Sequence, residues 1–129
     1  MQLRRPTAVV VAALSAALIG GAATAHHSFA VFFNDEKIIT LKGTVTGFRF
    51  TNPHGTIEFT VGSDTWRAET NAPTLLRRRG WTPDSLKPGE AITIEGWPAR
   101  DGSRYMRMRS VTRPDGTVLG TPVLNQRVD

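Results

Sequence analysis

The chain has 129 residues and no cysteine, and its 16 lysines and arginines outnumber its 11 aspartates and glutamates. A chain of this length is expected to form one domain. Without cysteine it can build no disulfide, thiolate zinc site, iron–sulfur cluster or cysteine nucleophile. Aromatic residues make up only 8% of the chain, which argues against a broad aromatic substrate-binding face.

Residues 1–25 have the pattern of a secretory signal peptide. Arg4 and Arg5 precede an apolar run, and small residues continue up to Ala25. A basic start, an apolar stretch shorter than a membrane span and an A-x-A motif are typical of an export signal. We therefore expect cleavage after Ala25, a single domain over residues 26–129, no membrane anchor after processing, and a periplasmic or secreted location. An uncleaved N-terminal anchor is the alternative.

Short runs of Val, Ile, Thr and Phe between turn residues predict an all-β domain. The expected strands cover residues 38–50, 56–61, 65–70, 91–97 and 104–112, and a short edge strand is expected at 118–123. Gly43 and Gly47 lie within the first run. Two glycines in one strand predict a strong bend that lets the strand serve two sheets.

One short helix is expected between the third and fourth strands. Asn71 is the expected cap, Pro73 fits the first turn and Gly80 should end the helix. Leu75 and Leu76 can face the core. The order of three strands, one helix and two strands is typical of an OB-fold, a small five-stranded Greek-key barrel. A β-sandwich is the alternative.

Several short segments resemble those of a known family. The segments are His26-His27-Ser28-Phe29-Ala30, Leu41-Lys42-Gly43-Thr44-Val45, Asn52-Pro53-His54, Gly80-Trp81 and Leu86-Lys87-Pro88-Gly89-Glu90. With them the chain resembles a bacterial family of short exported proteins that is known only as a domain of unknown function. The resemblance implies export and a small β fold, and it supplies no catalytic residues. The chain departs from the family pattern at Phe50, where Trp is expected.

All three histidines of the chain follow the predicted cleavage site, at positions His26, His27 and His54. Cleavage after Ala25 would make His26 the N-terminus, whose amine and imidazole Nδ1 can chelate one metal ion. His54, which follows the Asn52-Pro53 turn, is the candidate third ligand. His27 can replace His26 or supply its backbone nitrogen. Nitrogen ligands in a planar arrangement favour Cu(II), so we expect a small protein that binds or delivers copper.

Alternatives to this copper site stay open. Cleavage after Ala23 would place His26 third in the chain, where Cu(II) or Ni(II) binds without help from His54. Asp35 or Glu36 is a candidate axial or supporting group. The histidines can also be read as a polar chain start and a turn residue that bind no metal.

Two further groups of residues have both a functional and a structural interpretation. Met106 and Met108 share a strand face and carry thioethers that suit Cu(I), but methionines more often fill a core. Trp66, Trp81 and Trp97 could stack on a sugar or an aromatic ligand, but large aromatic residues in a small domain more often form its core. We expect the structural role in both cases.

Arg104, Arg107 and Arg109 provide the alternative function. Arg107 and Arg109 share the strand face opposite the methionines, and guanidinium groups recognise carboxylate and phosphate. Because an exported protein rarely meets nucleic acid, the expected partner is a small anion, an anionic envelope component or an acidic protein surface. A solvated strand face is the structural alternative. The sequence has no nucleophile elbow, P-loop or dinucleotide motif, so we expect a binding protein rather than an enzyme.

Overall fold

A computed structural model describes residues 29–119. The predicted signal peptide, His26, His27 and the last ten residues lie outside this range. The regular elements are β1 (Ile39–Arg49), β2 (Thr56–Val61), β3 (Asp64–Glu69), α1 (Pro73–Arg78), β4 (Ala91–Pro98), β5 (Tyr105–Thr112) and β6 (Val118–Leu119). Residues 29–32 are also helical. The predicted order of three strands, one helix and two strands is confirmed.

Strand β1 is shared between two neighbours. Its residues 39–44 pair with β4, and its residues 44–49 pair with β2, with a register shift between Val45 and Gly47. A Cβ atom on Gly43 would lie 2.5 Å from the carbonyl oxygen of Thr60. Only glycine therefore allows β1 to approach β2 this closely where it passes from one partner strand to the other.

A parallel pairing between β3 and β5 closes the sheet. The strand order is β3-β2-β1-β4-β5-β6, and three residue pairs join β3 to β5: Arg67 with Tyr105, Ala68 with Met106, and Glu69 with Arg107. Strands β1 to β5 thus form a closed barrel, and β6 adds to β5 at its side. The expected five-stranded OB-like barrel with one helix between its third and fourth strands is confirmed.

The core lies inside this barrel and follows the alternation of the strands. Its fully buried members include Ile57 and Phe59 on β2, Ile94 on β4, and Met106 on β5. Alternate residues of a strand point to opposite faces, so the neighbours of these residues project outward. Met106 and the adjacent inward residue Met108 both belong to the core.

Helix α1 is shorter than expected and is docked by one face. Leu76 is fully buried, whereas Leu75 is only half-buried. Gly80, with a φ of 82°, follows the helix as predicted. The backbone N–H of Trp81 then donates to the carbonyl of Leu76 at 3.0 Å. Trp81 is 3% exposed, and its ring lies 5.8 Å from that of Phe48, so it fixes the end of the helix to the barrel.

The predicted cap of this helix is wrong. The N-cap position is occupied by Ala72, and no side chain caps the helix. The Oδ1 atom of Asn71 instead accepts a hydrogen bond from Arg107 on β5. A charged donor gives a stronger hydrogen bond than the helix N–H groups would, so the contact across the barrel replaces the local one.

Candidate functional site

A row of outward-facing side chains crosses three strands of the barrel. Trp97 on β4 is opposite Arg107 on β5, and Arg107 is opposite Glu69 on β3. Opposed residues of paired strands project from the same face. Neighbouring strands lie about 4.8 Å apart, so the row extends over roughly 10 Å of the surface. We call these three residues the outer row.

Glu69 is the centre of the hydrogen bonds in this row. Its Oε2 atom accepts from the hydroxyl of Tyr105 at 2.5 Å, and its Oε1 atom accepts from Nη1 of Arg107 at 2.5 Å. Nη2 of Arg107 donates to Oδ1 of Asn71 at 2.6 Å. The Arg107 side chain is only 13% exposed, so solvent and salt screen its pairing with Glu69 less than they screen a surface pair.

Tyr105 serves as a hydrogen-bond donor in this arrangement. Burial, together with the hydrogen bond and negative charge of Glu69, raises the pKa of Tyr105 from 10.0 to about 12. The guanidinium of Arg67 lies 4.7 Å from the centre of the tyrosine ring and acts in the opposite direction. The hydroxyl therefore keeps its proton at neutral pH and holds the Glu69 carboxylate in place.

His54 lies beside both charged members of the row. Its Nδ1 atom is 3.4 Å from Nη1 of Arg107, and its Nε2 atom is 3.8 Å from Oε1 of Glu69. A guanidinium can only donate, so the contact with Arg107 favours the tautomer in which Nδ1 accepts and Nε2 carries the hydrogen. The side chain is 45% exposed, which leaves the imidazole accessible.

The position of His54 is fixed by the residue that follows it. A Cβ atom on Gly55 would lie 2.5 Å from Oγ1 of Thr70 and 2.8 Å from the carbonyl oxygen of Arg49. Gly55 also accepts a hydrogen bond from the backbone N–H of Thr70 at 2.9 Å. The loop before β2 is therefore pressed against the end of β3, which brings His54 to Glu69.

The N-terminal part of the described chain packs on the other end of the outer row. The ring of Phe29 lies 5.5 Å from that of Trp97, edge to face, and 5.4 Å from that of Phe33. Phe33 is buried and lies 5.4 Å from the ring of Tyr105. Arg100 binds this segment through the carbonyl oxygens of Ala30 and Phe33, at 2.6 and 3.1 Å. The segment is thus held beside the row by aromatic packing and by hydrogen bonds.

A family model described as "Family of unknown function (DUF6152)" matches residues 13–107, which is more than half of the chain. The chain belongs to this family. The match agrees with the resemblance to an uncharacterised family, and the barrel agrees with the small β fold that the resemblance implies. The comparison with curated proteins finds no match.

Among solved structures, the chain is similar to one titled "Crystal structure of the ZRD-deleted mutant of TiaS in complex with agmatine", with a TM-score of 0.45 and 13% sequence identity. The similarity covers 74% of this chain and 24% of that chain. The chain therefore spans about a quarter of the length of that protein. The likeness is too slight to transfer a ligand or an activity.

The predicted anion-binding arginines are each paired with a carboxylate. The pairs are Arg104 with Asp64 at 2.9 Å, Arg107 with Glu69 at 2.5 Å, and Arg109 with Glu95 at 3.8 Å. The acidic partners come from the strands on either side of β5, which the sequence pattern of β5 alone does not reveal. An anion would have to compete with these carboxylates for each guanidinium.

Of the three predicted metal ligands, only His54 lies within the described residues 29–119. It occupies the position beside Arg107 and Glu69 given above. His26 and His27 lie outside this range. Within residues 29–119, no group of three or more histidines, aspartates and glutamates could hold a metal ion. Asp35, one of the two candidate supporting acids, is paired with Arg100 at 3.0 Å.

Among residues 29–119, no helix is long and apolar enough to cross a membrane.

Sequence reasoning missed three members of the cluster around His54. Glu69, Asn71 and Tyr105 received no binding role, although all three contribute side chains to one network with Arg107. The predicted barrel itself could have pointed to these residues. Closure of an OB-fold places β3 beside β5, so polar residues near the end of β3 were candidates to meet the polar face of β5.

Proposed function

We propose that this protein is exported and binds Cu(II) at a site made by its processed N-terminus and His54. Cleavage after Ala25 would free the amine of His26, and that amine and Nδ1 of the same residue form a chelate. His54 supplies a third nitrogen from the barrel. His27 is adjacent and can contribute its backbone nitrogen or replace His26.

The observation that supports this proposal is the placement of Phe29 and His54 at the two ends of one short surface path. Phe29 rests on Trp97, and the outer row leads from there across β5 to Glu69 and His54. His26 precedes Phe29 by three positions, and an extended chain covers about 3.5 Å per residue. The chain before Phe29 thus has a reach of roughly 10 Å, to which the side chains of His26 and His54 add, and this is comparable with the length of the outer row.

Glu69 adds a possible oxygen ligand to this site. Its Oε1 atom and Nε2 of His54 are 3.8 Å apart. Metal–nitrogen and metal–oxygen bonds of about 2.0 Å, as found for zinc, allow one ion to contact both atoms when the imidazole hydrogen of His54 moves from Nε2 to Nδ1, which gives up the contact of Nδ1 with Arg107. The positive charge of Arg107 beside them opposes a cation, so affinity has to come from nitrogen donors. That favours copper over calcium or magnesium, which depend on several oxygen ligands.

The test uses protein that is exported by the cell, cleaved naturally and purified without a tag. Competitive titration with Cu(II) should give one tight site, and electron paramagnetic resonance should show coupling to nitrogen. An extra N-terminal Met, His26→Ala and His54→Ala should each weaken binding by at least about tenfold, as changes around metal sites commonly do. Lys42→Ala, an exposed lysine of β1, is the matched control and should have no effect.

The same variants separate the two cleavage registers. If cleavage follows Ala23, mass spectrometry will show a mature chain that begins at Thr24, and His54→Ala will leave copper affinity unchanged. The proposal would be overturned if the leader were retained, or if copper affinity were unchanged by the extra N-terminal Met and by His26→Ala.

Anion binding through Arg104, Arg107 and Arg109 remains the alternative proposal, with less support because each guanidinium already contacts a carboxylate. Its test is binding to vesicles of phosphatidylglycerol and phosphatidylcholine. Binding that requires the anionic lipid and falls with added salt would favour this function.

A further inference from the structure

Two open grooves meet at Trp66, away from the outer row. One, of about 660 Å³, runs between the start of β1 and the β4–β5 loop, which comprises residues 99–104. The other, of about 460 Å³, runs between β3 and the same loop. Trp66 and Ser103 line both grooves, so together they form one continuous depression, which we call the Trp66 groove.

Trp66 offers a rigid aromatic surface in this depression. Its ring stacks on that of Phe59, with centroids 6.4 Å apart and planes inclined by 25°. Phe59 is fully buried in the barrel, so one side of the indole is supported by the core while the residue itself is half-exposed. A ligand that covers the rest of the indole would gain apolar contact without having to order a flexible side chain.

The larger half of the groove carries an uncompensated positive charge. Its lining includes Lys37 and Arg100 and contains no aspartate or glutamate. Arg100 is paired with Asp35. Lys37 is exposed, and its ammonium has no hydrogen bond or ion pair among residues 29–119. The one unpaired charge of this half is therefore that of Lys37.

The smaller half of the groove has a different charge pattern. Glu58 and Asp101 line it together with Arg67 and Arg104. The pKa of Asp101 is lowered by hydrogen bonds that its carboxylate accepts from the side chain of Ser103 and from the backbone N–H of the same residue, the latter at 2.9 Å. Asp101 is thus ionised at neutral pH. The two charges balance in this half, so a ligand anion would be attracted more strongly at the Lys37 end, while hydroxyl groups can donate to the two carboxylates.

We propose that the Trp66 groove binds a carboxylate-bearing saccharide. A sugar ring lies over the exposed part of the Trp66 indole, its carboxylate contacts the ammonium of Lys37, and hydroxyl groups of the next sugar unit face Asp101. The open, elongated shape suits a chain of sugars better than a compact molecule. This site shares no residue with the outer row or with His54, although Arg100 and Tyr105, which line it, also contact the N-terminal segment and Glu69.

The probe is a trimer of galacturonic acid, and a neutral galactose trimer of the same size is the ligand control. We expect the acidic trimer to bind, to shift the indole N–H resonance of Trp66 and to leave that of the buried Trp81 unchanged. The neutral trimer should bind more weakly, and added salt should reduce the difference.

Lys37→Gln tests the assigned position of the charge. We expect it to weaken binding of the acidic trimer about fivefold, the upper range for an exposed ion pair, and to leave binding of the neutral trimer unchanged. Lys42→Gln, at an exposed lysine of the same region that does not line the groove, is the matched control and should change affinity less than twofold. The melting temperature of both variants should equal that of the parent.

Three results would overturn the proposal: equal affinity for the two trimers, an unaltered Trp66 resonance, or equal effects of Lys37→Gln and Lys42→Gln. Each can be obtained with protein to which no copper has been added, so failure would not depend on the outcome of the copper experiments.

Discussion

The outer row and the Trp66 groove lie on the same barrel and differ in how they hold charge. In the row, the guanidinium of Arg107 is largely buried and bound to Glu69 and Asn71. In the groove, Lys37 is exposed and its ammonium has no partner within residues 29–119. Removing a partner from a buried pair is costly, whereas an exposed charge contributes little to stability. Glu69 and Arg107 are thus expected to affect folding and binding together, and Lys37 binding alone.

The largest effect on the row is expected from Gly96→Ala. A Cβ atom there would lie 2.1 Å from the carbonyl oxygen of Arg107 and 2.7 Å from Cε of Met106. Because the carbonyl belongs to the backbone, β4 and β5 would have to separate, at a cost of about 3 kcal/mol in the free energy of unfolding. Urea denaturation measures this cost.

Gly47→Ala is the control for that substitution. Its added Cβ would meet only the side chain of Glu58, at 3.4 Å. Replacing glycine by alanine in a strand should then be neutral or stabilise by up to about 1 kcal/mol. If Gly96→Ala and Gly47→Ala reduced the free energy of unfolding equally, close packing of β4 on β5 would not be what maintains the outer row.

A smaller effect is expected when the pairing of the row is removed. Glu69→Ala leaves Arg107 without its carboxylate and should reduce the free energy of unfolding by about 2 kcal/mol. The matched variant is Glu58→Ala, whose partner Arg49 has 71% of its side chain exposed. That change should cost less than about 1 kcal/mol. Urea denaturation measures both changes. If the two variants lost the same free energy of unfolding, the pair of Glu69 with Arg107 would be no more stabilising than an ordinary surface pair.

The smallest effect concerns the ionisation of Tyr105. This is the only tyrosine of the chain, so its ultraviolet titration reports one group. We expect a midpoint near pH 12, and a lower midpoint in Glu69→Gln, because the carboxylate raises the pKa of Tyr105. Glu95→Gln is the control and should leave the titration unchanged.

The same shift makes stability depend on pH. Because the folded protein holds the Tyr105 proton more tightly than the unfolded chain, stability should fall as the pH rises from about 10 towards 12. A folded-state midpoint at the ordinary value of 10.0 would mean that burial and Glu69 do not act on this hydroxyl.

Local sequence patterns were sufficient to predict the strands and the barrel. Alternating apolar residues such as Ile57 and Phe59 predicted the buried face of β2, and two glycines predicted that β1 would change partners. These features depend on neighbours within a few residues. The packing of Phe33 against Tyr105 was not predicted, because it joins positions 72 residues apart with no regular pattern between them.

The site was harder to predict for the same reason. Asn71 fits the local rule for a helix cap, but Arg107 binds its side chain from a distance of 36 residues. Arg107 itself fits a solvated strand face until β3 brings Glu69 beside it. In both cases a charge-assisted contact made by barrel closure is stronger than the local preference.

Only three residue pairs join β3 to β5, yet this short junction supplies both surfaces. Arg67 and Tyr105 border the Trp66 groove, while Glu69 and Arg107 belong to the outer row. Separation of β3 from β5 would disrupt both surfaces at once. A molecule that binds to either surface should therefore stabilise the closed barrel. Its binding should slow deuterium uptake by the backbone amides along that junction.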